Sequence, residues 1–270
     1  MHEAELLFTD ILKCSRSSLY LNKHLFLNQA QSKAISSVLK KRIYGYPLQY
    51  ILGKTEFMGL EFKVTPAVLI PRPETEILVE KVIEIVHSPQ STVHRILDLG
   101  TGSGCIGISL AKILAGIKVE AVDISEEALA VARENAKLNG VEVDFIQSDL
   151  FSSYKLRTKR YELIVSNPPY VSHPQFSSLQ PEIRYEPRCS LDGGRDGLVF
   201  YRRIVSGSME HLNKNGFLVM EMGFGQRQAI ENIIRRSGRF AIKEIVKDYS
   251  GIERIIVAQY TGSGAQQWTN

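Results

Sequence analysis

Apolar residues recur at helical spacing near the start of the chain, where Leu6, Leu7, Ile11 and Leu12 share one face. Ala34, Val38 and Leu39 repeat the pattern, and Lys40, Lys41 and Arg42 close that segment as basic residues close a helix. Neither stripe can be buried by its own helix, so a small helical bundle is expected over residues 1–52, ended by Gly45 and Pro47. The pattern then shortens. Thr55-Glu56-Phe57 and Leu60-Glu61-Phe62-Lys63-Val64 flank Met58-Gly59, which predicts a β-hairpin connector within residues 53–70. From Pro71 onward strands and helices alternate. A helix is expected over 74–86, with Pro73 suited to its first turn. Strand-like runs follow at 95–99, 118–122, 143–147, 161–166, 217–222, 242–246 and 254–258. Ser125 reads as a helix cap, with Glu126 and Glu127 well placed beside the positive end of that helix. This order implies an α/β fold over residues 71–260, a seven-stranded doubly wound sheet whose ligands bind beyond the carboxyl ends of the strands. Residues 261–270 are small, polar and glycine-containing, and are expected to be disordered.

Composition narrows the class without choosing a function. Of the 270 residues, 44% are hydrophobic and 23% charged, as in a water-soluble globular protein. No apolar run reaches membrane-spanning length, and Met1-His2-Glu3-Ala4-Glu5 lacks the basic and apolar regions of a signal peptide, so the cytoplasm is the expected compartment. A net charge of +4 permits an acidic or nucleic-acid partner without requiring one. Cys14, Cys105 and Cys189 are odd in number and far apart, so no disulfide framework is implied. The histidines show no metal-ligand spacing with them, and no metal is expected. A monomer is the default assembly.

The chemistry gathers at the ends of the predicted strands. After the first stands Asp98-Leu99-Gly100-Thr101-Gly102-Ser103-Gly104-Cys105-Ile106-Gly107, in which residues 102–107 satisfy G-x-G-x-x-G. Such glycines let backbone approach a nucleotide-type ligand, or simply make a tight strand-to-helix turn. The motif does not choose between NAD and S-adenosylmethionine. Asp123 ends the next strand, where a carboxylate can accept both hydroxyls of a ribose, or cap the helix that follows. Ser148-Asp149-Leu150-Phe151 ends the third and could supply an acceptor and an apolar wall to an adenine; core packing of Leu150 and Phe151 is the alternative. The fourth strand delivers Asn167-Pro168-Pro169-Tyr170 to the same edge. The prolines carry no N–H, so this turn presents carbonyl acceptors, joined by the Asn167 side-chain oxygen and the flat face of Tyr170. That set suits a planar group bearing an NH2.

The combination resembles the Rossmann-like class I S-adenosylmethionine-dependent methyltransferases that modify planar nitrogens. Within that class the chain is similar to the peptide chain release factor glutamine N5-methyltransferases over nearly its whole length. The resemblance rests on Pro47-Leu48-Gln49-Tyr50-Ile51-Leu52-Gly53, Phe57-Met58-Gly59-Leu60-Glu61-Phe62, Ile70-Pro71-Arg72-Pro73-Glu74-Thr75-Glu76, the glycine turn and the Asn167 tetrapeptide. Glu186-Pro187-Arg188 and Asp192-Gly193-Gly194-Arg195-Asp196-Gly197-Leu198 complete it. The resemblance implies S-adenosylmethionine as methyl donor, leaving S-adenosylhomocysteine. Gly100, Thr101, Gly102, Ser103 and Gly104 would hold its methionine end. Asp123 would take its ribose, and Leu150 would meet the adenine where some relatives carry an aromatic residue. Asn167 would also touch the cofactor, and Asn167, Pro168, Pro169 and Tyr170 would hold the glutamine of a Gly-Gly-Gln loop in a class 1 release factor, the expected protein partner. The N-terminal bundle would help to recruit that partner. Against the family's bundle this chain is expected to start somewhat late, with an initial helix missing or the start atypical.

An amide nitrogen is a weak nucleophile. Hydrogen bonds from it to Asn167 Oδ1 and the Pro168 carbonyl would raise its electron density and aim its lone pair at the methyl group from roughly 3–3.5 Å. No strong general base is required. Arg72 and Glu74 would line a lid or merely cap and pair at a helix start, and His173 would be a base or a solvent-facing loop residue. Two other readings stay open. A DNA or RNA exocyclic-amine methyltransferase would use the same cradle but calls for a basic groove with interleaved aromatics, whereas the basic residues here are dispersed. A non-catalytic adenosine- or dinucleotide-binding protein would need only the glycine turn and Asp123.

Overall fold

The computed structural model describes residues 3–21 and 26–262. Four helices open the chain: α1 (Glu3–Leu12), α2 (Arg16–Leu21), α3 (Gln29–Ile43) and α4 (Leu48–Leu52). Asn28 and Gln31 start α3 with a reciprocal cap, each side chain taking the other's backbone N–H at 2.8 and 3.0 Å. Leu7, Ile35 and Leu48 form the small core of this bundle, with Ile11 and Val38 against them. The apolar stripe of α3 therefore runs through Ile35, and Leu39 is exposed. A helix with few neighbours buries a seam narrower than its apolar face.

A hairpin follows, β1 (Lys54–Phe57) and β2 (Leu60–Lys63). Its turn residues Met58 and Gly59 both have φ near +50 to +70°, as a two-residue hairpin turn requires. Phe57 and Phe62 meet edge to face at 6.0 Å, inside the main core of the molecule.

Helix α5 (Pro73–His87) leads into the sheet, whose strands are β3 (Arg95–Leu99), β4 (Lys118–Asp123), β5 (Asp144–Gln147), β6 (Tyr161–Ser166), β7 (Leu212–Glu221), β8 (Phe240–Lys247) and β9 (Glu253–Tyr260). The helices between them are α6 (Cys105–Ile113), α7 (Glu126–Asn139), α8 (Val199–His211) and α9 (Arg227–Ser237). Strand order is β5-β4-β3-β6-β7-β9-β8, with β9 antiparallel to both neighbours and the remaining pairs parallel. Successive side chains face opposite sides. Ile96, Leu163, Val165, Val219 and Val257 pack toward α5 and α6, while Leu97, Ile164, Leu218, Met220 and Ile256 pack toward α8 and α9. Burial on both faces explains why these strands read as almost continuous apolar runs. The seven-stranded doubly wound fold is as expected, and Ser125 caps α7 by accepting the Ala128 N–H at 3.1 Å.

The bundle is fastened beside the loops that follow β6. Arg42 pairs with Glu182 at 2.7 Å, Tyr185 donates to the Tyr44 carbonyl at 3.0 Å, and the rings of Tyr46 and Tyr185 meet at 5.0 Å. Of the tail expected to be disordered, Thr261 and Gly262 are bonded to Arg239, and residues 263–270 lie outside the described residues.

Candidate active site

Strands β3 and β6 are neighbours, with Leu99 paired to Ser166, yet the chain leaves them toward opposite edges of the sheet. Sheets of this kind open a crevice at such a point. Gly100 and Asn167 are thus delivered side by side, and Ser166 Oγ fixes the level by donating to the Leu99 carbonyl at 2.8 Å.

The glycine turn is folded by a buried acid. Asp98 is fully buried; its Oδ2 accepts the Thr101 hydroxyl at 2.6 Å and the Gly107 N–H at 3.1 Å. Burial pushes this carboxyl up to about 7, opposed by those two bonds. Its Oδ1 has no partner among the described residues. Gly102 sits at φ +56°, in the left-handed region, and donates its N–H to Asp123 Oδ2 at 2.8 Å. Asp123 Oδ1 accepts the Ser125 N–H at 2.9 Å, and burial raises this carboxyl too. Asp123 is therefore a brace for the turn as well as a ligand candidate, with a lone pair left on each oxygen for a hydroxyl.

Thr101, Gly102 and Asp123 line a cavity of about 260 Å³, many times the ~10–15 Å³ that holds one water; Gly104, expected beside them, lies outside its lining, and a Cβ there would meet Ile108 and Ala132. Gly100, Thr101, Gly102 and Ser103 face one end of it, and a Cβ added at Gly100 or Gly102 would meet no atom within 4 Å. Backbone can therefore be approached closely there, which fits the methionine end of S-adenosylmethionine. Leu150 lines the same cavity at φ +52°, its carbonyl held by Ser148 Oγ at 2.6 Å. Phe151 turns away and stacks on His211 at 4.8 Å, so it belongs to the packing of α8. Asp149 reaches the cavity while paired with Arg203 at 2.8 Å. Ile124 and Phe200 were missed by sequence reasoning and also line it. Ile124 carried a legible signal, an apolar residue directly after the strand-end acid; Phe200 carried none.

The Asn167 tetrapeptide forms the wall between this cavity and a second one. Asn167 and Pro168 line both, while Tyr170 lines only the second, with Gln49, Glu182, Ile183 and Glu186. Asn167 Nδ2 donates to Thr75 Oγ1 at 3.0 Å, and Thr75 Oγ1 donates to Glu221 Oε2 at 2.7 Å. Among the described residues nothing donates to the Pro168 carbonyl. Tyr170 is held from behind by Gln226, whose Nε2 donates to its carbonyl at 3.0 Å. A Cβ at Gly197 would lie 2.5 Å from that carbonyl oxygen, and one at Gly193 would lie 2.8 Å from Tyr170 Cα. The Asp192–Leu198 motif is thus the backing of Tyr170.

Arg72 lines both cavities and bonds Glu186 across their boundary, so it pairs at the mouth and not on open surface. Glu186 is buried, which raises its carboxyl against the pull of Arg72. His173 is exposed, lies 3.1 Å from Asp192, and lines neither cavity. No described helix is long and apolar enough to cross a membrane.

The chain is similar to known proteins along nearly its full length. Residues 74–183 match the family described as "Methyltransferase small domain", and residues 1–53 match "PrmC N-terminal domain". The "Release factor glutamine methyltransferase" of Thermodesulfovibrio yellowstonii is 41% identical over 97% of this chain and 94% of its own length. That of Geobacter sulfurreducens is 42% identical over 94% of this chain and 87% of its own. Among solved structures, a methyltransferase from Pyrococcus furiosus shares the fold at 20% identity, with a TM-score of 0.57 over 84% of this chain and all of that one. With relatives at this identity along nearly its full length, the chain belongs to the family of release factor glutamine methyltransferases.

Proposed function

We infer that this enzyme transfers a methyl group from S-adenosylmethionine to the side-chain amide nitrogen of the glutamine in the Gly-Gly-Gln loop of class 1 peptide chain release factors. One observation carries the reading: Asn167 and Pro168 form a wall shared by two cavities. The cavity lined by Gly100, Thr101, Gly102 and Ser103 is the donor side, with Asp123 for the ribose and Leu150 for the adenine. The cavity between Tyr170 and the N-terminal bundle is the acceptor side.

S-adenosylmethionine, when bound, supplies an electrophilic methyl group; the chain's own residues do the rest. Because Asn167 Nδ2 is engaged by Thr75, Oδ1 is the end offered to the substrate. Asn167 Oδ1 and the Pro168 carbonyl accept the two N–H groups of the amide, which raises electron density on nitrogen and fixes the direction of its lone pair. Tyr170 packs against the amide plane. Burial pushes its hydroxyl up to about 12, so it stays neutral and serves as a surface, not a base. The proton leaves after the methyl group has arrived.

Among the described residues the acceptor cavity is lined by one basic residue, Arg72, which is paired with Glu186, and one aromatic residue, Tyr170; a nucleic acid calls for a basic groove with interleaved aromatics. The enzyme works in the cytoplasm as a monomer. Mass spectrometry of a release factor incubated with the enzyme and S-adenosylmethionine is expected to show one added methyl group on that glutamine. Methylation of DNA or ribosomal RNA with no change in release factor would overturn the assignment.

A further inference from the structure

An asparagine amide occupies nearly the same volume in either of two orientations, and only hydrogen bonding separates oxygen from NH2. Which end of Asn167 faces the substrate therefore has to be decided by its neighbours. We propose that Thr75 and Glu221 make that decision, so that methyl transfer requires Glu221 to be ionised; this rests on the reading of Asn167 as acceptor of the substrate amide.

The bonds run in one direction. A carboxylate only accepts, so the proton of the Thr75 hydroxyl goes to Glu221 Oε2 at 2.7 Å. The Thr75 oxygen is then left to accept, and it takes Asn167 Nδ2–H at 3.0 Å. Thr75 and Glu221 are each 2% exposed, so bulk water does not stand in for either partner. The chain of bonds joins the first turn of α5 to the end of β7 and the end of β6, next to it in the sheet. Once Glu221 is protonated, its O–H can donate to the Thr75 oxygen, and the Thr75 proton is released toward Asn167. The stable partner for that proton is Oδ1. The amide then turns its NH2 to the substrate, donor against donor, and the cradle no longer holds the nitrogen.

Glu221 is faced by Arg72, Glu74 and Thr75 at the start of α5, Arg254 on β9, Tyr170 after β6, Tyr201 on α8 and Cys105 on α6. Burial pushes its carboxyl up to about 7, opposed by the Thr75 bond and by Arg254. The switch therefore lies inside the working pH range. Its sign is fixed: a raised carboxyl is protonated below about 7, so turnover falls as pH drops through that value.

The test is the single-turnover rate of methyl transfer to release factor against pH, with saturating S-adenosylmethionine, alongside its binding constant. The wild type is expected to lose rate on the acid side of about 7 with unchanged cofactor affinity. Thr75→Val should slow transfer roughly 10- to 100-fold and abolish this acid limb, and Thr75→Ser should restore both. Glu221→Gln, whose uncharged amide can offer Thr75 either its oxygen or its NH2, no longer titrates and should lose the acid limb. Asp98 is pushed up to about 7 as well, but an effect of its titration does not pass through Thr75 and would survive Thr75→Val. An acid limb that persists in Thr75→Val or in Glu221→Gln would overturn the proposal. Full turnover in Asn167→Ala with normal cofactor binding would instead sink the reading of Asn167 on which it stands.

Discussion

At Asn167 a residue type chosen for its oxygen is made specific by what binds its nitrogen. Truncation at this position removes the acceptor but touches neither the glycine turn nor Asp123. Asn167→Ala is expected to lower turnover on the order of 100-fold, with S-adenosylmethionine affinity kept, as measured by single-turnover kinetics beside calorimetric titration. Gly197 is held to its type by the Tyr170 carbonyl, which a Cβ would meet at 2.5 Å. Gly197→Ala should therefore push Tyr170 out of line and cut turnover roughly 10- to 100-fold, again with intact cofactor binding. The acceptors of the tetrapeptide were legible because four adjacent residues carry them. Their link to Thr75 and Glu221 was not: Thr75 stands within the Ile70–Glu76 stretch, but Glu221 lies 146 positions away and no local pattern joins the two. Asp123 was half legible: its place at a strand end is local, while its N–H donors, Gly102 and Ser125, are supplied only by the folded turn.

Among the elements, the hairpin shows how position adds to pattern. Met58-Gly59 and the flanking aromatics predict it, but no periodicity says where Phe57 and Phe62 go. They enter the main core with Leu78 and Val82 of α5, and Asn135 of α7 clamps β2 by accepting the Lys63 N–H at 2.7 Å and donating to its carbonyl at 3.0 Å. Phe62→Ala should cost about 3–5 kcal/mol, read from urea denaturation of the whole protein. A loss confined to the N-terminal bundle would contradict this placement. The strands were readable because burial on both faces leaves few polar positions in them, and their ends were blurred where β7 begins early, at Leu212. The stripe of α3 misled at Leu39 because apolar spacing reports a possible face, whereas the neighbours decide which part of it is covered.

For the whole molecule, the buried acids of the site set a pH dependence of stability. Asp98 and Glu221 are both held near 7 by burial. A carboxyl whose folded value is raised contributes stability fully below its ordinary range and loses that contribution as pH rises through the folded value. Between about pH 4 and 7 these groups should withdraw on the order of a few kcal/mol, against the arginine-paired acids Asp196, Glu231 and Asp248, which shift the other way. Glu221→Gln, neutral at every pH, should flatten the fall of the urea midpoint between pH 5.5 and 8. An unchanged slope would mean that Glu221 titrates near its ordinary value. The ionised form that orients Asn167 is thus the form the fold tolerates least.

The wall of Asn167 and Pro168 also bears on traffic. With the donor and the glutamine of the release factor on either side of that wall, as proposed, each would have its own cavity and neither would have to wait for the other to enter. On that arrangement spent S-adenosylhomocysteine would be exchanged while the release factor is still docked. The kinetics should be those of a ternary complex with random order, and S-adenosylhomocysteine should compete with the methyl donor while leaving the affinity for release factor untouched.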